Sequence, residues 1–170
     1  MKKLIIIMLM VFIMLASAAC AATGSAQQPE YVEAVAGGPA PLSPEDIKQM
    51  WSWVNDADSV QIIVNGEVID APKPFGNVEA GALMLPVVAI AEALGYTVVD
   101  NGSEVVIGPG TLLNEGVNSY ARGREAAVEL TCAPMIRDGV MYVPEIFFQE
   151  ILSAVAYVAD GTVIVESMQE

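Results

Sequence analysis

The groups able to do chemistry in this chain are 21 acidic side chains, two cysteines and a few tyrosines; there is no histidine. Without imidazole, Ser-His-Asp and Cys-His catalysis are unavailable, and so is a histidine copper site. Paired-carboxylate hydrolysis is the one enzyme class that composition leaves open. No acidic pair stands in a recognisable catalytic context, and a carboxylate pair across a deep cleft with one raised pKa would be needed to revive it. Gly108-Pro109-Gly110 has neither the length nor the lysine of a phosphate-cradling loop. Asp56-Ala57-Asp58 begins like a calcium loop, but Val60 occupies the next ligand position. Arg122 and Arg124 sit beside Glu125, where a local ion pair is expected. The residues thus lead us to expect no catalytic group, no metal and no cofactor.

Cys20 is the residue whose setting suggests a modification. Lys2 and Lys3 precede an unbroken apolar run from Leu4 to Leu15, and Ala16-Ser17-Ala18-Ala19 leads into the cysteine. A charged start, an apolar core and a small-residue exit make a secretory signal over residues 1–20. The run is too short for a spanning helix, which needs about 20 residues. Leu15–Cys20 resembles a bacterial lipobox, in which the cysteine carries acyl chains of the palmitate type. Ser17 departs from it, standing where a larger aliphatic residue is usual. Cleavage at Ala16-Ser17-Ala18 is the rival reading, and it would leave a secreted protein. Residues 21–42, rich in Ala, Gly, Gln and Pro, read as a flexible tether. The expected place is therefore the extracellular face of the cell membrane, with the membrane reached through the lipid anchor. Cys132 then has no intramolecular partner and is expected as a small buried residue in a strand. With the other cleavage, a Cys20–Cys132 bridge is open.

Charge narrows the partners. Without Lys2 and Lys3, five basic residues face 21 acidic ones, a balance of −16. Binding to nucleic acid needs clustered Lys and Arg, so no nucleic-acid partner is expected.

The elements that would carry these groups follow from periodicity. Ser43 reads as an N-cap, Pro44 as the first helical residue, and Glu45 and Asp46 as first-turn acids. Ile47, Met50, Trp51 and Val54 form one apolar stripe, so residues 43–57 are an amphipathic N-terminal helix. Trp51 lies on the stripe and Trp53 off it, and both are candidate partner contacts. From residue 58 to 167 the chain reads as short strands with turns at Asn65-Gly66, Asn101-Gly102, Asp138-Gly139 and Asp160-Gly161. An internal repeat runs through this region. Gly81–Gly95 is followed 58 residues later by Gly139–Leu152, with Gly, Pro, Glu and Leu at matching places. Each copy reads as a strand, a proline-led helix and a hairpin. Val87, Ile90, Ala91 and Leu94 make one helix stripe; Phe148, Ile151, Leu152 and Val155 make the other. The predicted fold is α+β: antiparallel β-hairpins, two short repeat helices packed on the sheet, and one N-terminal amphipathic helix.

Val64-Asn65-Gly66, Leu83–Gly95 and the weaker Tyr142-Val143-Pro144 and Glu150-Ile151-Leu152 together resemble the copper amine oxidase N-terminal-like domain. This stalk domain occurs in many exported proteins of Gram-positive bacteria, and the likeness covers about residues 58–167. The resemblance implies a small α+β appendage and no amine oxidation, because copper and the quinone cofactor of those oxidases lie in other domains. The family's arginine two residues after the proline is replaced here by Val88 and Ile146, leaving Glu92 and Glu150 without that i,i+4 partner. The expected function is a non-catalytic, exported binding or spacer module that meets cell-wall polymer or another exported protein. A small carboxylate hydrolase and a regulatory lipoprotein docking on an exported enzyme are the alternatives.

Overall fold

The computed structural model describes residues 43–168; the expected signal and tether, with Cys20, lie outside them. Among the described residues, eleven strands in three sheets and four short helices make a mixed α+β fold.

Helix α1 (Pro44–Met50) starts with a capping box. The Ser43 hydroxyl accepts from the Asp46 N–H at 3.2 Å, and the Asp46 carboxylate accepts from the Ser43 N–H at 3.1 Å. The Ser43 hydroxyl also donates to the Asp46 carboxylate at 2.7 Å, and this bond, followed by the one from the Ser43 N–H, holds the Asp46 carboxyl below the usual carboxylate range. The chain breaks at Trp51 and resumes as α2 (Ser52–Asn55). The break disperses the expected stripe: Val54 is buried, Ile47 and Trp51 are half-buried, and Met50 is exposed.

The repeat organises the rest. Strand β4 (Ala82–Pro86) pairs antiparallel with β9 (Val140–Pro144), and Leu85 lies opposite Val143, its own counterpart 58 residues on. The two copies are therefore related by a local two-fold through that pair. Strands β3 (Phe75–Asn77) and β8 (Met135–Arg137) flank them in the order β3-β4-β9-β8. Each central strand runs into a helix, α3 (Val87–Ala93) and α4 (Ile146–Glu150), and then into a hairpin. The hairpins are β5 (Val98–Asp100) with β6 (Glu104–Ile107), and β10 (Ala154–Ala159) with β11 (Thr162–Ser167).

The ends of the domain complete the two outer sheets. Strand β7 (Thr111–Asn114) extends β5-β6. The N-terminal hairpin, β1 (Ile62–Val64) and β2 (Glu67–Ile69), docks on β11 and gives the order β10-β11-β1-β2. Here β1 runs parallel to β11, with Ile62 opposite Val163, so the pairings are not all antiparallel as expected. Residues about 100 apart meet in this ladder, and no turn signal between them announces it.

Leu85, Val87, Ile90, Val143, Phe147 and Phe148 are buried in one core. The stripe expected for the second helix needs correction. Helix α4 ends at Glu150, Val155 is 37% exposed on β10, and Phe147 is fully buried instead. A five-residue helix cannot carry a stripe through to position 155. Its end also differs from that of α3: Gly95 has φ +91°, whereas Ser153 is held at φ +52°. The Tyr96 hydroxyl, just past α3, donates to the Leu152 carbonyl at 2.8 Å and ties the two helix ends together. No described helix is long and apolar enough to cross a membrane.

Candidate functional site

The outer face of the sheet β10-β11-β1-β2 is the most conspicuous exposed surface. Alternation turns Ile62, Val64, Val163 and Val165 inward, where all are buried. It turns their neighbours outward. Cross-strand register then aligns Tyr157 with Ile164, Ile164 with Ile63, and Ile63 with Val68. The result is an apolar row across four strands, ending in exposed Tyr157 and in Val68, which is 60% exposed. The Tyr157 hydroxyl donates to Glu166 at 3.4 Å, and desolvation followed by the adjacent carboxylate raises its pKa. A shorter row, Val99, Val106 and Leu112, crosses the sheet β5-β6-β7. Sequence alternation identifies the outward residues, but only the parallel β1–β11 register places Ile63 beside Ile164.

The tryptophans form a second feature. Both are half-buried and pack against the main core. Trp51 packs directly against Gly76 of β3: a Cβ there would stand 2.7 Å from Trp51 Cδ2 and closer still to Cβ and Cγ. Asn55 secures the contact from the next turn. Its amide oxygen accepts from the Gly76 N–H at 2.8 Å, and its NH2 donates to the Gly76 carbonyl at 3.1 Å. The α1–α2 segment is thus clamped to the edge of the central sheet at one glycine. Much of each indole is consumed in packing, and Trp51 Nε1 is buried with no hydrogen-bond partner.

Glu145 lies near the same place. It is the N-cap of α4, at the repeat position where the first copy has the fully buried Val87. Its Oε2 is buried without a partner, and desolvation raises its pKa above the usual carboxylate range. A cleft of about 220 Å3 holds Glu145, Trp51, Leu83 and Tyr157. Among the described residues no second carboxylate lines it, so a raised pKa occurs here without the pair that hydrolysis would need.

Cys132 corrects an expectation: it lies in a bend before β8, half-buried, and not in a strand. Its Sγ is 3.5 Å from Met84 Sδ, and burial followed by the Glu145 charge pushes the thiol pKa up. Its carbonyl accepts from the hydroxyl of fully buried Tyr120 at 2.8 Å. The ion pair expected at Arg122, Arg124 and Glu125 does not form. The three are exposed in a turn, and the ion pair within 4.0 Å among the described residues is Arg137–Asp138. Glu92 and Glu150 are exposed, as helix residues without the arginine partner should be.

A family model described as copper amine oxidase N-terminal domain matches residues 63–166. The chain belongs to this family. The match begins within β1 and ends within β11, so the copper amine oxidase N-terminal domain comprises both repeat copies and the parallel ladder that joins its ends. In copper amine oxidases this domain is not the catalytic one. The α1–α2 segment and its two tryptophans precede the matched region. No curated protein and no solved structure shows significant similarity to the chain.

Proposed function

We propose that this copper amine oxidase N-terminal domain is an exported, non-catalytic binding or spacer module, held at the outer face of the membrane by a lipid on Cys20. The observation that carries the reading is the apolar row Tyr157–Ile164–Ile63–Val68 on the solvent face of a four-stranded sheet. Apolar cross-strand rows facing water suit a surface that meets a partner. The partner is wall polymer or another exported protein, reached by the tether of residues 21–42. Catalysis is not part of the reading. The chain has no histidine, and the cleft around Glu145 lacks a second acid.

Two measurements test it. A Cys20→Ser variant should lose membrane association and the mass of the acyl chains; a variant that stays on membranes with wild-type mass refutes the anchor. Replacing Tyr157 and Ile164 with serine should abolish retention on isolated wall material or on a co-purifying exported protein. Hydrolysis of wall glycan or peptide by the purified protein, abolished by changing one acid, would overturn the non-catalytic reading.

A further inference from the structure

A polar cleft of about 530 Å3 opens beside Gly76 and Asn55, walled by the β2–β3 connection and the β8–β9 turn. Lys73, Phe75, Arg137 and Tyr142 line it. We propose that this cleft binds an oxyanion, a phosphate or carboxylate group, between Lys73 and Arg137. The site is chemically distinct from the apolar sheet face and does not depend on it.

The backbone fixes Lys73 first. It stands between Pro72 and Pro74, which limit the connection to extended conformations. Its carbonyl accepts from the Tyr142 hydroxyl at 3.1 Å. Its ammonium donates to the Asn55 carbonyl at 3.1 Å and to the Ala57 carbonyl. Those acceptors are neutral, so they orient the ammonium without cancelling its charge. Among the described residues no carboxylate lies within 4.0 Å of it. One of its three N–H donors is left for a ligand.

Arg137 is fixed by an aromatic platform. Its guanidinium lies 4.9 Å from the Phe75 ring centroid, and Tyr142 braces Phe75 edge-on at 5.0 Å. Stacking orients the planar donor fork that matches phosphate and carboxylate. Its one carboxylate contact is Asp138 at 3.9 Å from Nε, and that side chain is 94% exposed. The terminal nitrogens make no hydrogen bond to described residues, which leaves the fork for a ligand.

The charge distribution points the same way. The chain beyond Lys3 has five basic residues among 21 acids, yet two of the five border this one cleft. Among the described residues, Asp138 is the only acid lining it. A stacked arginine and a lysine bonded to neutral carbonyls, in so acidic a chain, form a local positive spot suited to an anion.

The test is a titration of the full-length, isotope-labelled chain with sodium phosphate, and separately with sodium acetate, at ionic strength held constant with sodium chloride. The amides of Phe75, Gly76 and Val140 should shift saturably. Arg137→Gln should weaken the effect at least tenfold, and Lys73→Gln should weaken it too, with unchanged amide positions elsewhere showing an intact fold. Saturation by both anions identifies a general oxyanion site, and saturation by one alone identifies which group the ligand carries. No saturable shift at these amides, a shift confined to Arg122 and Arg124, or titrations unaffected by both substitutions would overturn the proposal.

Discussion

Gly76→Ala tests the clamp between the tryptophan segment and the sheet. Gly76 does not have the left-handed φ that would require glycine. By backbone entropy alone, alanine there should stabilise the protein by about 0.4–1 kcal/mol. The structure predicts the opposite sign, because the new methyl would fall inside the Trp51 side chain. If the segment stays docked, overpacking costs about 1–3 kcal/mol. If it lifts off, two Asn55–Gly76 hydrogen bonds are lost, about 1 kcal/mol each, together with the burial of Val54, about 1.5–3 kcal/mol. The cheaper response, overpacking, sets the outcome; less the entropic gain, we expect a net loss of about 1–2 kcal/mol, a fall in Tm of roughly 3–8 °C for a domain of this size. Trp51 and Trp53 are the only tryptophans, so emission reports on this segment alone. Undocking should shift the emission to the red. In a Trp51→Gly background, which removes the Cβ as well as the ring, Gly76→Ala should cost less than about 0.5 kcal/mol. Equal costs in both backgrounds, or a single variant as stable as wild type with unshifted emission, would refute the account.

Three further outcomes follow from the described geometry. Glu145→Val restores the side chain found at the equivalent position of the first copy and removes a carboxylate oxygen that has no partner. Allowing for the half-exposed setting of Glu145, it should stabilise by about 1 kcal/mol at pH 7 in urea unfolding. Because the folded pKa is raised, the native state holds its proton more tightly than the unfolded chain, so the wild-type penalty grows as pH rises through that window and is complete above the folded pKa. The advantage of Glu145→Val should therefore fade below about pH 4.3, the unfolded value; an advantage equal at pH 3.5 and pH 7 would contradict this. Ser153→Gly removes the penalty of a left-handed serine after α4, and thermal melts should show a gain of about 0.5–1 kcal/mol after the entropy of glycine is subtracted. The Cys132 thiol, its pKa raised by burial, should react with iodoacetamide at pH 7.5 more slowly than a free cysteine and reach the ordinary rate in urea.

Several parts of the molecule were legible from residue types alone, because their causes are local. The capping box needs only Ser43, Pro44 and Asp46 within one turn. Asn65-Gly66, Asp138-Gly139 and Asp160-Gly161 adopt positive φ at both residues, as hairpin turns of this kind require. The family followed from the repeat around Leu83–Gly95 and its weaker second copy. Where local pattern misled, a neighbour distant in sequence had intervened. The single N-terminal stripe is split into two helices at Trp51, the residue that packs on Gly76. The second helix stripe stopped short because β10 is drawn into the ladder with β11. Arg122 and Arg124, adjacent to an acid in sequence, form no ion pair among the described residues, whereas Lys73 and Arg137 share one cleft.

The sequence by itself determined the absence of imidazole chemistry, the acidic balance, the turn positions and the doubled strand–helix unit. Each is a property of composition or of residues a few places apart. Tertiary structure alone decided that the two copies meet at Leu85 and Val143, that β1 lies parallel to β11, and that the apolar row and the basic cleft exist. These depend on register between segments as much as 100 residues apart. Register is set by the sum of many burial contacts over the whole core, and no short stretch of residues encodes that sum.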